Sequence, residues 1–211
     1  MDERLLFYLM LAPSIILHEI AHGGVALAFG DDTAKRAGRL TLNPIAHVDP
    51  LGTVVLPGIM LLSGLGAFGW AKPVPVNPRK LRNPRQQSLL VSLAGPGTNI
   101  ALALAAAAWL ALRPADTIGL LSIDFDLVPA VDQAAFMLGF ANVLLAAFNL
   151  IPFPPLDGSA LIERVLPHSW WPGWLRFRQY SMGILLLIVL VFPTLLGHVF
   201  DPALDLWSKL L

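Results

Sequence analysis

Long apolar runs separated by short polar stretches dominate this chain. Residues 5–29, 87–112, 131–151 and 179–199 are each mostly apolar. At 1.5 Å per helical residue, each is long enough to cross a hydrocarbon layer of about 30 Å. A fifth run, 51–69, carries Pro57, Gly58, Gly64 and Gly66, a composition that suits a re-entrant hairpin as well as a crossing. Pro13 is expected to kink the first helix, and Pro193 the last. Between the first two runs the pattern changes. Residues 38–43 alternate like a short strand and end in the Asn43-Pro44 turn signal. In 68–78 each residue before a proline is pushed to extended geometry, and Pro73 and Pro75 would confine a strand here to an edge.

Composition narrows the class. Hydrophobic residues make up 56% of the 211 and charged residues only 13%, which favours a polytopic membrane protein over a soluble core. The absence of cysteine removes disulfides and thiolate metal ligands. Fourteen basic residues balance fourteen acidic ones, and no basic cluster is interleaved with aromatics, so nucleic acid is not an expected partner. Asp2, Glu3 and Arg4 precede a first run too long for a cleavable signal peptide.

That first run holds the chain's main chemical signal, His18-Glu19-Ile20-Ala21-His22. Two histidines four apart share a helix face and can reach one Zn²⁺, while Glu19 is placed to act on water instead of on the metal. A pair of core histidines is the bland alternative. It is weakened because ionisable groups within a membrane span are costly and usually functional. Asp157 is the best third ligand, a lone acid in the broken-helix stretch Pro152-Phe153-Pro154-Pro155-Leu156-Asp157-Gly158. Its alternative is a turn residue before Gly158. Glu163, next to Arg164, reads as an ordinary surface pair. Two histidines and one carboxylate would leave a fourth zinc position open, as catalytic sites do. His47 and Asp49 could support or gate such a site, but an Asx turn with a solvent-side histidine is the favoured reading. Asn99 can hydrogen-bond to a neighbouring helix, and the small residues around it permit close helix approach.

Topology tests whether the two motifs can meet. If 51–69 re-enters, eleven Lys/Arg lie on one side and three on the other; if it crosses, the split is nine to five. The more polarised arrangement favours re-entry and puts the site on the cytoplasmic side.

The chain resembles the site-2 protease family of intramembrane zinc metalloproteases. The resemblance rests on His18-Glu19-Ile20-Ala21-His22, on Asn149-Leu150-Ile151-Pro152-Phe153-Pro154-Pro155-Leu156-Asp157-Gly158, and on Ala94-Gly95-Pro96-Gly97-Thr98-Asn99 between them. It implies zinc held by His18, His22 and Asp157, Glu19 as catalytic base and Asn149 as a candidate for stabilising the oxyanion. The family also has a membrane-embedded β element, to which 38–43 and 69–76 look similar. The resulting expectation is an all-α polytopic membrane protein of about five apolar segments, one re-entrant, with a small membrane-associated β element. Residues 1–211 would form a single intramembrane protease domain in the plasma membrane. Its partners would be the lipid bilayer and single-pass transmembrane substrates, captured as they unwind by the edge segment 69–76. A metal-ion transporter and a catalytically silent scaffold are the competing functions.

Overall fold

The computed structural model describes residues 2–55, 59 and 69–211. Helix α1, Glu3–Ala28, begins where the Asp2 carboxylate accepts the Arg4 and Leu5 N–H groups at 2.9 and 3.0 Å, and it runs unbroken through Pro13. Gly30, at φ +107°, follows its end in a conformation that L side chains rarely adopt. After α2 (Thr33–Arg36) and turns at Pro44–His47, Pro50–Val55 and Pro78–Lys80, helix α3 runs over Pro84–Ala111. Pro84 suits its first turn, where no N–H is needed. There follow α4 (Ala115–Ile123), α5 (Ala130–Asn149), α6 (Ser159–Val165), α7 (Trp171–Val191) and α8 (Pro193–Ser208).

Four of the described helices are long and apolar enough to cross a membrane: α1, α3, α5, and α7 with the turn before it. The first three pack together. His18 and His22 of α1 face Asn99 and Val91 of α3 in reverse order, so these two helices are antiparallel. At one end Ala26, Leu81 and Val91 form a small buried cluster. Elsewhere Trp207 of α8 packs on Ala103, Ala107 and Val143 and donates its indole N–H to the Ala103 carbonyl at 2.9 Å. A Cβ at Gly139 would strike that indole.

Several expectations need correction. The last membrane helix is not 179–199, since α7 starts earlier and stops at Val191. Phe192 leaves helical geometry before a proline, and Pro193 opens α8 instead of kinking one long helix. The loop 113–130 contains α4. Among the described residues there is no strand. In 38–43, side-chain bonds within the turn, Asn43 N–H to Thr41 Oγ1 and Ile45 N–H to Asn43 Oδ1, take the place of a ladder. Segment 69–77 lacks regular secondary structure, and its N–H groups find acceptors in several different places. Trp70 donates to Gly52 O at 3.1 Å, Lys72 to His47 O at 2.9 Å, Val74 to Glu19 Oε2 at 2.7 Å and Asn77 to Asp31 Oδ2 at 2.5 Å. The run 51–69 lies largely outside the described residues, although its flanks meet in the Trp70–Gly52 bond.

Candidate metal centre

Helical spacing brings His18 and His22 onto one buried face of α1, with their Nε2 atoms 3.0 Å apart. Asp157 reaches them from the irregular stretch after α5. Its Oδ2 lies 3.1 Å from His18 Nε2 and 3.3 Å from His22 Nε2. The prolines stop α5 from continuing, and Gly158 seals the turn by donating its N–H to Asn149 O at 2.7 Å. A Cβ at Gly158 would collide with the Leu150 carbonyl, so this packing requires glycine.

Three features fit a cation. The three ligand atoms lie within 4.8 Å of one another. Asp157 Oδ2 is buried and accepts no hydrogen bond from the described residues. Gly95 of α3 provides the room: a Cβ there would come within 2.6 Å of His18 Nε2 and closer still to His22 Nε2. The outer imidazole nitrogens are held too, His22 Nδ1 by the Val91 carbonyl at 2.7 Å and His18 Nδ1 by Asn99 Oδ1 at 2.6 Å. Such outer bonds orient metal-binding imidazoles.

The centre opens into a cavity of about 450 Å³ whose lining includes Glu19, Asn149, Trp70, Val74 and Leu185. Glu19 accepts the Val74 N–H on Oε2, so the base candidate and segment 69–77 are physically joined. Asn149 lines the same cavity, with Nδ2 donating to Leu145 O at 3.0 Å. All five residues singled out by sequence therefore meet in one place.

Others fall differently. His47 is buried, not on the solvent side, because Nε2 bonds the Thr41 carbonyl at 2.9 Å while its own carbonyl takes the Lys72 N–H. Asp49 makes the expected Asx turn, accepting from Leu51 and Gly52. Glu163 is not paired with Arg164. It binds Arg178 Nη1 and Trp174 Nε1 on α7, each at 3.0 Å, beside the cavity. Sequence reasoning did not single out Ser14 or Asn142, both fully buried at a site-facing helix contact. Their polarity within apolar helices was the available signal.

Comparison with known proteins gives a consistent answer. The model of peptidase family M50 matches residues 6–192. The chain is 39% identical over 216 residues to the provisionally named zinc metalloprotease YwhC of Bacillus subtilis, covering 97% of this chain and 92% of that protein. It is 33% identical over 189 residues to the provisionally named zinc metalloprotease Rip2 of Mycobacterium tuberculosis H37Rv, covering 89% and 67%. No solved structure matches. The helices, the convergent His18, His22 and Asp157, and these relatives agree: the chain belongs to peptidase family M50, the site-2 protease family.

Proposed function

We propose that this zinc-dependent protease is an intramembrane endopeptidase that cuts single-pass membrane proteins within or near their transmembrane segments. The observation that carries the reading is the convergence of His18, His22 and Asp157 beside Glu19, at a cavity inside a bundle of apolar helices. His18, His22 and Asp157 would hold Zn²⁺. When bound, zinc supplies a Lewis acid that polarises a carbonyl and acidifies water.

The chain's own groups do the rest. The Val74 N–H fixes Glu19 Oε2, leaving Oε1 to take a proton from the attacking water and pass it to the departing amine. Asn149 can turn an amide N–H toward the charge developing on the substrate carbonyl oxygen. A transmembrane helix bonds its amides internally, so the substrate must unwind before it can be cut. Segment 69–77 suits its capture. Trp70, Lys72 and Val74 spend their N–H groups on the protein, whereas among the described residues no donor takes the carbonyls of the alternate positions, Ala71, Pro73 and Pro75, which suits an incoming strand. The bonded flanks of 51–69 and the concentration of Lys/Arg favour a cytoplasm-facing site in the plasma membrane.

The test pairs zinc stoichiometry with cleavage of transmembrane peptides by wild type and Glu19→Gln. Glutamine still accepts the Val74 N–H but is not a base, so zinc should stay while cleavage falls by about 10²–10⁴-fold. Loss of zinc in the mutant would contradict this division of roles. Zinc transport into proteoliposomes without cleavage would favour a transporter.

A further inference from the structure

We propose that Ser14 and Asn142 are positioning residues that fix which nitrogen of His18 carries the proton, through a hydrogen-bond relay across α1, α5 and α3. The relay is buried throughout: Ser14, Asn142 and Asn99 are each 0% exposed. Asn142 Nδ2 lies 2.8 Å from the Leu138 carbonyl and 2.8 Å from Ser14 Oγ. Asn99 Nδ2 lies 2.7 Å from Asn142 Oδ1, and Asn99 Oδ1 lies 2.6 Å from His18 Nδ1.

The direction of every bond follows from groups that can only accept. The Leu138 carbonyl has no proton, so the Asn142 atom facing it is the amide nitrogen. Its second hydrogen goes to Ser14 Oγ, whose own proton goes to the Met10 carbonyl at 2.7 Å. Asn142 therefore presents its oxygen to Asn99, and Asn99 must answer with its amide nitrogen. That turns Asn99 Oδ1 toward His18, so His18 Nδ1 carries the hydrogen and Nε2 is left with a lone pair. His22 reaches the same state directly, because the Val91 carbonyl demands a proton on Nδ1. Both imidazoles thus offer lone pairs to the point that Asp157 Oδ2 also faces. Without the relay the Asn99 amide is free to turn over, offering N–H to His18 Nδ1 and favouring the tautomer whose Nε2 is blocked by hydrogen.

This inference rests on the zinc reading above, and cleavage is not among its readouts. Asn142→Leu removes the relay at similar size. Zinc affinity in detergent, measured by chelator competition, should fall about 10–100-fold. The double variant Asn142→Leu with Asn99→Asp should recover most of it. A carboxylate at 99 has no N–H to offer and accepts from His18 Nδ1 whatever stands at 142. Packing damage would not be rescued by a buried acid. Independently, ¹⁵N NMR of histidine-labelled, metal-free wild type at about pH 8, where an ordinary histidine is neutral, should show His18 protonated on Nδ1. A wild-type His18 protonated on Nε2 overturns the proposal, even if no variant folds. So does wild-type zinc affinity in Asn142→Leu, or the absence of rescue. Failure of wild type to bind zinc at all would instead remove the zinc reading on which the proposal depends.

Discussion

Adding one methyl group at Gly95 should empty the metal centre. A Cβ there sits 2.6 Å from His18 Nε2 and 2.5 Å from His18 Cε1. Carbon contacts settle at about 3.5 Å, so ring and methyl must part by about 1.0 Å. Zinc–ligand distances tolerate only about 0.2 Å. Nor can the rings simply swing aside, because Asn99 and the Val91 carbonyl hold their far nitrogens. Two effects on stability oppose each other in Gly95→Ala. Alanine improves on glycine within a helix by about 0.8–1.0 kcal/mol, while overpacking costs about 1–3 kcal/mol. The net change is a loss between about zero and 2 kcal/mol, too small to unfold a typical domain. Zinc affinity should fall far more, by at least about 100-fold, the upper end for losing an outer partner. Gly97→Ala on the same helix is the control. Among the described residues no atom beyond its own stretch of helix lies within 4 Å of its Cβ position, so it should keep zinc and gain stability. Chelator competition and thermal melting in detergent read both quantities. If Gly95→Ala binds zinc as wild type does, α3 does not approach the histidines as described and the centre must be rebuilt.

Acid and anchor mutations test the surroundings of the site. Burial pushes the Asp31 carboxyl pKa up, but the Thr33 hydroxyl and the Asn77 and Thr33 N–H groups bring it below the ordinary aspartate value. A lowered folded-state value contributes stability above the unfolded pKa of about 3.9, and that contribution is lost as pH falls through the folded value. Asp31→Asn should therefore show a weaker acid-dependent loss of stability than wild type. It should also be cut faster at 69–77 by an added protease at neutral pH; parallel melting-versus-pH curves would refute the anchor. Trp70 packs its ring against Gly52, where a Cβ would collide with it. Trp70→Ala should raise the KM for transmembrane peptides several-fold while zinc binding is unchanged, and unchanged turnover across substrate concentrations would remove this segment from capture.

The candidate metal centre was the most legible part of the sequence, because its signals are local. His18 and His22 declare themselves by helical spacing, and Asp157 by being a lone acid among prolines and apolar residues. The small residues around Gly95 pointed to close helix approach, though not to what they approach. Less legible were features set by partners distant in the chain. Nothing near Asn142 reveals that its neighbours are Ser14 and Asn99, 128 and 43 residues away. His47 looked like a solvent-side turn residue because its burial depends on the segment around Lys72. The expected strands failed for a related reason: alternation in 38–43 and prolines in 69–76 describe a backbone ready to pair, but turn bonds and scattered acceptors claimed its N–H groups first.

The donor-poor outer edge of segment 69–77 has a consequence for self-association. An ordinary exposed edge offers alternating donors and acceptors, and two copies of it can zip together. Here Pro73 and Pro75 leave only carbonyls at their positions. Two such edges brought face to face would set oxygen against oxygen and repel. On the proposed reading, in which this segment takes up an unwound substrate, the site would thereby be guarded against its own copies, while a strand bringing free N–H groups could still dock.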